Sequence, residues 1–121
     1  MNARLTDREK YLRSESEASF QGRIIDLARL CGWRVAHFRT VRMTRRDRTT
    51  RYLTPVQADG AGFPDLILVR GTRMVAAELK REEGKPPAFE QLQWLEALGL
   101  AGAEVAVWRP RDWDTIERTL R

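Results

Sequence analysis

The sequence predicts an α/β domain in which a single mixed four-stranded sheet is flanked by helices, in the order αβββαβα. Three observations carry that reading. Segments with helical spacing of apolar residues alternate with short strand-like runs. Two of those runs are separated only by Gly71-Thr72, the length of a tight hairpin turn. The chain has 121 residues, enough to bury one core and too few for a second independent domain.

The first dozen residues are polar and mixed in charge. Residues 1–13 are therefore expected to form a flexible leader, with order beginning near Ser14 and one domain running over 14–121. Phe20, Ile24, Leu27 and Cys31 then recur at helical spacing, and Gly32 supplies a stop. Trp33 to Val41 alternates large apolar with polar or small residues and reads as a strand. The stretch of about 42–61 is arginine-rich and ends in the turn residues Asp59-Gly60-Ala61-Gly62, which predicts a long mobile loop or a hairpin extension. Asp65 to Arg70 is a nearly continuous apolar run opened by Pro64, as a strand buried on both faces should be. Met74 to Lys80 returns as its hairpin partner. Pro86-Pro87 suits a helix start, Phe89, Leu92, Trp94, Leu95 and Leu98 give that helix an apolar stripe, and Gly99 is placed to close it. Ala103 to Trp108 alternates as a fourth strand. Asp112 is a natural N-cap for a last helix carrying Trp113, Ile116 and Leu120.

Composition restricts function. No apolar run approaches the roughly 18 residues of a membrane span, and the N-terminus lacks the apolar stretch of a signal peptide. The expectation is an intracellular, DNA-associated protein with no membrane partner. Cys31 is the only cysteine, which excludes an internal disulfide and a cysteine zinc cluster. The net charge is +5 and arginine supplies most of the excess, so a polyanion is the expected partner. Arg39, Arg42, Arg45, Arg46, Arg48 and Arg51 fall in one stretch with a single acid, Asp47, and are the candidate phosphate contacts. His37, the lone histidine, is expected as a strand-face residue or a further phosphate contact. Trp94, Trp108 and Trp113 read as core, Trp33 as packing behind the first helix, and Cys31 as a small core residue.

The chemistry follows from strand geometry. Side chains two apart on a strand share a face, so Glu78 and Lys80 point the same way while Leu79 points into the opposite layer and leaves its carbonyl near the carboxylate. Counting outward from Gly71-Thr72 brings Asp65 beside Glu78. Two adjacent carboxylates repel unless a cation lies between them, and oxygen ligands select Mg2+ or Mn2+ over softer metals. Glu17 lies on the stripe of the first helix that faces the sheet, with Gln21 one turn farther on. A charge there requires a partner, either the same metal or Lys80. Lys80 can lower the pKa of an attacking water or neutralise charge developing on a phosphorane. In outline this is a hydrolytic phosphodiesterase.

Pro64-Asp65 followed by Glu78-Leu79-Lys80, with the two acids 13 positions apart, resembles the signature of the PD-(D/E)XK nucleases, and within them the VRR-NUC family. Ser16 to Gln21 is similar to that family's acidic first helix, Gly62-Phe63-Pro64-Asp65 to its glycine-preceded motif, and Gln91-Leu92-Gln93-Trp94-Leu95 to its glutamine-tryptophan helix. The resemblance runs from about Glu15 to the C-terminus. It implies a restriction-endonuclease-like core with Asp65, Glu78 and the Leu79 carbonyl as metal ligands. Glu17 would be an additional ligand or water orienter, Lys80 would activate water, and Gln91 would position the scissile strand or Lys80. It also implies a DNA endonuclease acting on Holliday junctions or on flapped or otherwise branched DNA. A homodimer is the expected assembly, because a two-fold axis would set two sites at a fixed separation. The arginine-rich stretch is not part of the signature, so its DNA role rests on charge. A non-catalytic DNA-binding or assembly module with the same fold, and an RNA nuclease, are the competing readings.

Overall fold

The computed structural model describes residues 4–38, 41–44, 50–53 and 58–121. Its centre is a four-stranded mixed sheet in the order β1 (Arg34–His37), β4 (Leu66–Arg70), β5 (Arg73–Leu79), β6 (Glu104–Trp108). The first three strands are antiparallel to their neighbours, and β5 pairs with β6 in parallel. A parallel neighbour requires a crossover. Helix α3 (Phe89–Leu100) provides it and packs on β5 and β6 from one face. Helices α2 (Glu17–Leu30) and α4 (Trp113–Leu120) cover the other face.

The alternation that defines the strands also sorts them between layers. Leu66, Leu68, Val75, Ala77, Leu79 and Trp108 all project towards α2 and α4, where they meet Phe20, Ile24, Leu27, Ala28, Ile116 and Leu120. Each fully buried side chain of this size contributes about 1.5–3 kcal/mol. Val75 to Leu79 is buried without a break, because β5 lies between two strands and under helices on both faces. Trp33 closes the far end of this core, its Nε1–H donating to the Leu120 carbonyl at 2.8 Å and its ring stacked with the guanidiniums of Arg70 and Arg73. The mixed sheet with flanking helices is thus the expected one, and Gly71-Thr72 makes the expected hairpin turn with Gly71 at φ +60°.

Three features depart from the sequence reading. Within the expected leader, Asp7–Ser14 forms a helix, α1. The Thr6 hydroxyl accepts the Glu9 N–H at 3.1 Å while the Glu9 carboxylate accepts the Thr6 N–H at 2.6 Å, a reciprocal cap that needs no apolar face. Arg13 adds an ion pair to Glu83 at 2.7 Å. Because α1 buries no residue, Thr6→Ala should cost about 1 kcal/mol locally. Amide exchange over residues 7–14 should then quicken with no change in the global melting temperature.

The arginine-rich stretch takes one of its two expected forms. Of the loop and the hairpin, the structure has the hairpin: β2 (Val41–Thr44) pairs antiparallel with β3 (Thr50–Leu53) as a separate two-stranded ribbon. Second, Pro86-Pro87 precede α3 rather than open it, and Ala88 is the N-cap. Third, α3 continues through Gly99 to Leu100, and Gly99 packs beside Val105 of β6. The chain reverses at Gly102, φ +104°, instead. Of the stripe expected to be apolar and inward, only Leu95 is buried, while Phe89 and Leu92 face solvent.

Candidate active site

The sheet's register sets the site. Leu66 pairs with Ala77, so one residue outward Asp65 at the mouth of β4 faces Glu78 near the end of β5. Both project from the α3 face, away from the core that holds Leu79. Asp65 is fixed twice: its carbonyl accepts the Phe38 N–H at 3.0 Å, and its Oδ2 accepts the Leu79 N–H at 2.8 Å. Backbone pairing also fixes Lys80, whose N–H donates to the Trp108 carbonyl at 3.0 Å.

Glu78 is the one buried charged residue among those described, at 2% exposure. Its Oε1 accepts the Gln91 Nε2–H at 2.8 Å and lies 3.6 Å from the Lys80 ammonium. Its Oε2 is buried with no hydrogen-bond partner among the described residues. A buried, unpaired carboxylate oxygen costs a few kcal/mol, and here a second carboxyl, that of Asp65, stands within hydrogen-bonding reach. Burial first, then the charge and proximity of Asp65, push the Glu78 pKa up to about 8, against the opposing pull of Lys80. Two such carboxyls are stable side by side only with a proton or a cation between them.

Gln91 joins the parts. Its Oε1 accepts from both the Lys80 ammonium at 3.1 Å and the Ala88 N–H at 2.8 Å, so one side chain caps α3, orients Lys80 and holds Glu78. It comes from the first turn of α3, which is held against the Gly62–Asp65 segment by an edge-to-face series, Phe38 to Phe63 at 4.9 Å and Phe63 to Trp94 at 5.0 Å. Trp94, expected in the core, is therefore half-buried at this seam, with its indole N–H on the Asp59 carbonyl at 2.9 Å.

Asp65, Glu78, Lys80 and Gln91 are thus gathered at one end of the sheet. Glu17 occupies the first position of α2 and stays accessible to solvent. Its carboxyl pKa is raised, by desolvation and then by the charge of Asp65, and is pulled back by Lys80 and Arg81. It therefore shares the electrostatic field of the pair. Among the described residues, however, no three His, Cys, Asp or Glu side chains stand together as ligands to one ion. Glu17 thus neighbours the Asp65–Glu78 pair from the exposed start of α2. His37 ends β1 on the α2 side, and the Gln21 amide Nε2 lies 2.7 Å and 3.2 Å from its two ring nitrogens. Of the candidate phosphate contacts, Arg39, Arg45, Arg46 and Arg48 lie outside the described residues, and Arg42 and Arg51 fall on β2 and β3.

The pair fits a hard divalent cation. Mg2+ keeps several waters and is commonly held by one or two carboxylates, so two acids with an unsatisfied oxygen are a sufficient protein contribution. Gly62, expected as a turn residue and as the glycine that precedes the Pro64-Asp65 motif, has a further role in packing. Its φ is +81°, and a Cβ there would lie 2.6 Å from the Glu90 carbonyl carbon and 2.7 Å from the Gln91 nitrogen. The glycine is what lets the segment carrying Asp65 touch the backbone that carries Gln91.

Comparison of this chain with protein-family models, with curated proteins and with solved structures returns no match.

Proposed function

We propose that this protein is a Mg2+- or Mn2+-dependent endonuclease that hydrolyses phosphodiester bonds in DNA, selecting junctions, flaps or other branched forms. The observation that carries the reading is the buried, partnerless Oε2 of Glu78 beside Asp65. A divalent ion there would be held by Asp65 and Glu78, with the Leu79 carbonyl as the resemblance implies, and would supply Lewis acidity to a phosphate oxygen. The chain's own groups do the rest. Lys80, at 18% side-chain exposure, offers a cation beside the carboxylate pair and is aimed by Gln91. It can take up negative charge as it develops on the phosphorus oxygens or favour the deprotonated form of an attacking water. Glu17, whose pKa is raised by desolvation and by the charge of Asp65, stands at the rim where it can orient or take a proton from an attacking water. DNA is favoured as the polyanion by the +5 charge and the arginine-rich ribbon, and branch selectivity by the resemblance to the VRR-NUC family.

The test is cleavage of a panel of four-way-junction, flap, duplex and RNA substrates with and without Mg2+ or Mn2+. Asp65→Ala and Lys80→Ala should each lower the rate by roughly 10²–10⁴-fold while keeping salt-sensitive DNA binding. A Lys80→Ala protein that cuts at the wild-type rate would refute the assignment, and binding without cleavage by the wild type would favour a non-catalytic module.

A further inference from the structure

We infer that Arg109 is a positioning residue, which sets Lys80 and Gln91 by gripping the loop between them. What those two residues do rests on the nuclease reading; the grip itself does not. Arg109 follows the last residue of β6 and belongs to none of the motifs that point to the site. Its guanidinium donates from Nη1 to the Arg81 carbonyl at 2.5 Å and to the Gly84 carbonyl at 3.2 Å, and from Nη2 to the Lys85 carbonyl at 3.4 Å. Three carbonyls of one five-residue loop thus converge on one planar fork, a geometry that lysine cannot reproduce.

The loop closes around that group. The Gly84 N–H donates back to the Arg81 carbonyl at 3.0 Å. A Cβ at Gly84 would lie 3.2 Å from the Arg81 nitrogen and 3.3 Å from its carbonyl oxygen. The Arg109 backbone is itself anchored, its main-chain N–H donating to the Asp112 carboxylate at 2.8 Å in the 3-10 turn Pro110–Asp112. Arg111 ties the same loop through Glu82, its N–H donating to Oε1 at 3.0 Å.

Both ends of the loop lead to the site. On one side Arg81 follows Lys80, whose N–H already rests on the Trp108 carbonyl, so consecutive residues of the β6 end hold consecutive residues beyond β5. On the other, Lys85 is followed by Pro86-Pro87, a stiff pair that delivers Ala88, and the Ala88 N–H donates to Gln91 Oε1. The Lys80 ammonium meets that same oxygen. Releasing the grip would let the two partners of Gln91 move independently, and a misplacement of about 1 Å can cost a site roughly 10²-fold.

The experiment compares wild type, Arg109→Ala, Arg109→Lys and Gly84→Ala by the NMR signal of the Gln91 side-chain amide and by steady-state DNA cleavage. In Arg109→Ala the Gln91 signal should move to that of a solvated glutamine. kcat should fall roughly 10- to 100-fold with KM unchanged, and added guanidinium ion should restore part of the rate. Arg109→Lys should not rescue. Gly84→Ala, which keeps Arg109 but presses a methyl against the Arg81 backbone that Arg109 grips, should shift the same Gln91 signal, and it decides the question if Arg109→Ala fails to fold. An unmoved Gln91 signal with unchanged kcat overturns the assignment, as does a loss in which kcat and KM worsen together in step with melting temperature. If the wild type cuts no nucleic acid the nuclease reading fails, and the Gln91 signal still judges the grip.

Discussion

Glu78→Gln is expected to give a protein that is more stable than the wild type at pH 8 without divalent ions, yet cuts no DNA. The two effects share one cause. In the unfolded chain the Glu78 carboxyl titrates near 4.5, whereas in the fold burial and Asp65 hold it at about 8. Below pH 4.5 it is protonated in both states and costs nothing. Between 4.5 and 8 the unfolded chain sheds its proton while the fold retains one, so stability falls steadily as pH rises. Above 8 the cost is complete, on the order of a few kcal/mol. Glutamine removes that dependence. Its amide can still accept from Gln91 and can donate to Asp65, which satisfies the position that leaves Oε2 without a partner. Denaturation at pH 5.5 and pH 8 in chelator should show wild type losing stability across the interval and Glu78→Gln holding nearly level. Equal losses in the two proteins would mean that the carboxyl pair carries no strain.

Divalent metal should act on the wild type in the opposite sense. An ion held between Asp65 and Glu78 would replace the shared proton, so it would stabilise the folded protein by mass action and more strongly as pH rises towards 8. Mg2+ or Mn2+ should therefore raise the wild-type melting temperature at pH 8, raise it less at pH 5.5, and leave Glu78→Gln almost unmoved.

How far the site was legible in the sequence depends on which kind of information each residue carries. The two-residue turn at Gly71-Thr72 between the runs Asp65 to Arg70 and Met74 to Lys80 fixes register, and register alone places Asp65 opposite Glu78. Layer assignment follows equally, since Leu79 must project opposite to Glu78 and is fully buried. Periodicity says less about where an element stops or what covers it. Phe89 and Leu92 have the spacing of a buried stripe but lie exposed, because α3 reaches the sheet mainly through its later turns, around Leu95 and Gly99. Helix α1 was hidden for the converse reason: it has no apolar face, and its support is a local exchange of hydrogen bonds between Thr6 and Glu9. Arg109 left no signal, because a guanidinium that binds main-chain carbonyls is matched by no side-chain partner in the sequence. Glu17 shows the limit of a helical wheel, which gives direction but not depth: the stripe was identified correctly, and the residue ends at the rim.

Gly62→Ala is the second substitution expected to have a large effect, although it touches no ionisable group. Two independent costs coincide there. A φ of +81° is expensive for any residue with a Cβ, by about 1–2 kcal/mol. The added methyl would also meet backbone, not a yielding side chain, at 2.6 Å and 2.7 Å in Glu90 and Gln91, and forced overpacking of this kind costs about 1–3 kcal/mol. Together these predict a melting temperature lower by roughly 10 °C or more. Relief can come only from moving the first turn of α3 away from the Asp65 segment. That motion carries Gln91 off Glu78 and Lys80, so cleavage should fall further than the fraction unfolded explains. Gly22→Ala is the matched control. It lies inside α2 with nothing within 4 Å of a new Cβ, so it should stabilise the helix by about 0.5–1 kcal/mol and leave cleavage untouched. Were Gly62→Ala to melt and cut like Gly22→Ala, close backbone contact between the Asp65 segment and α3 would not be what assembles the site.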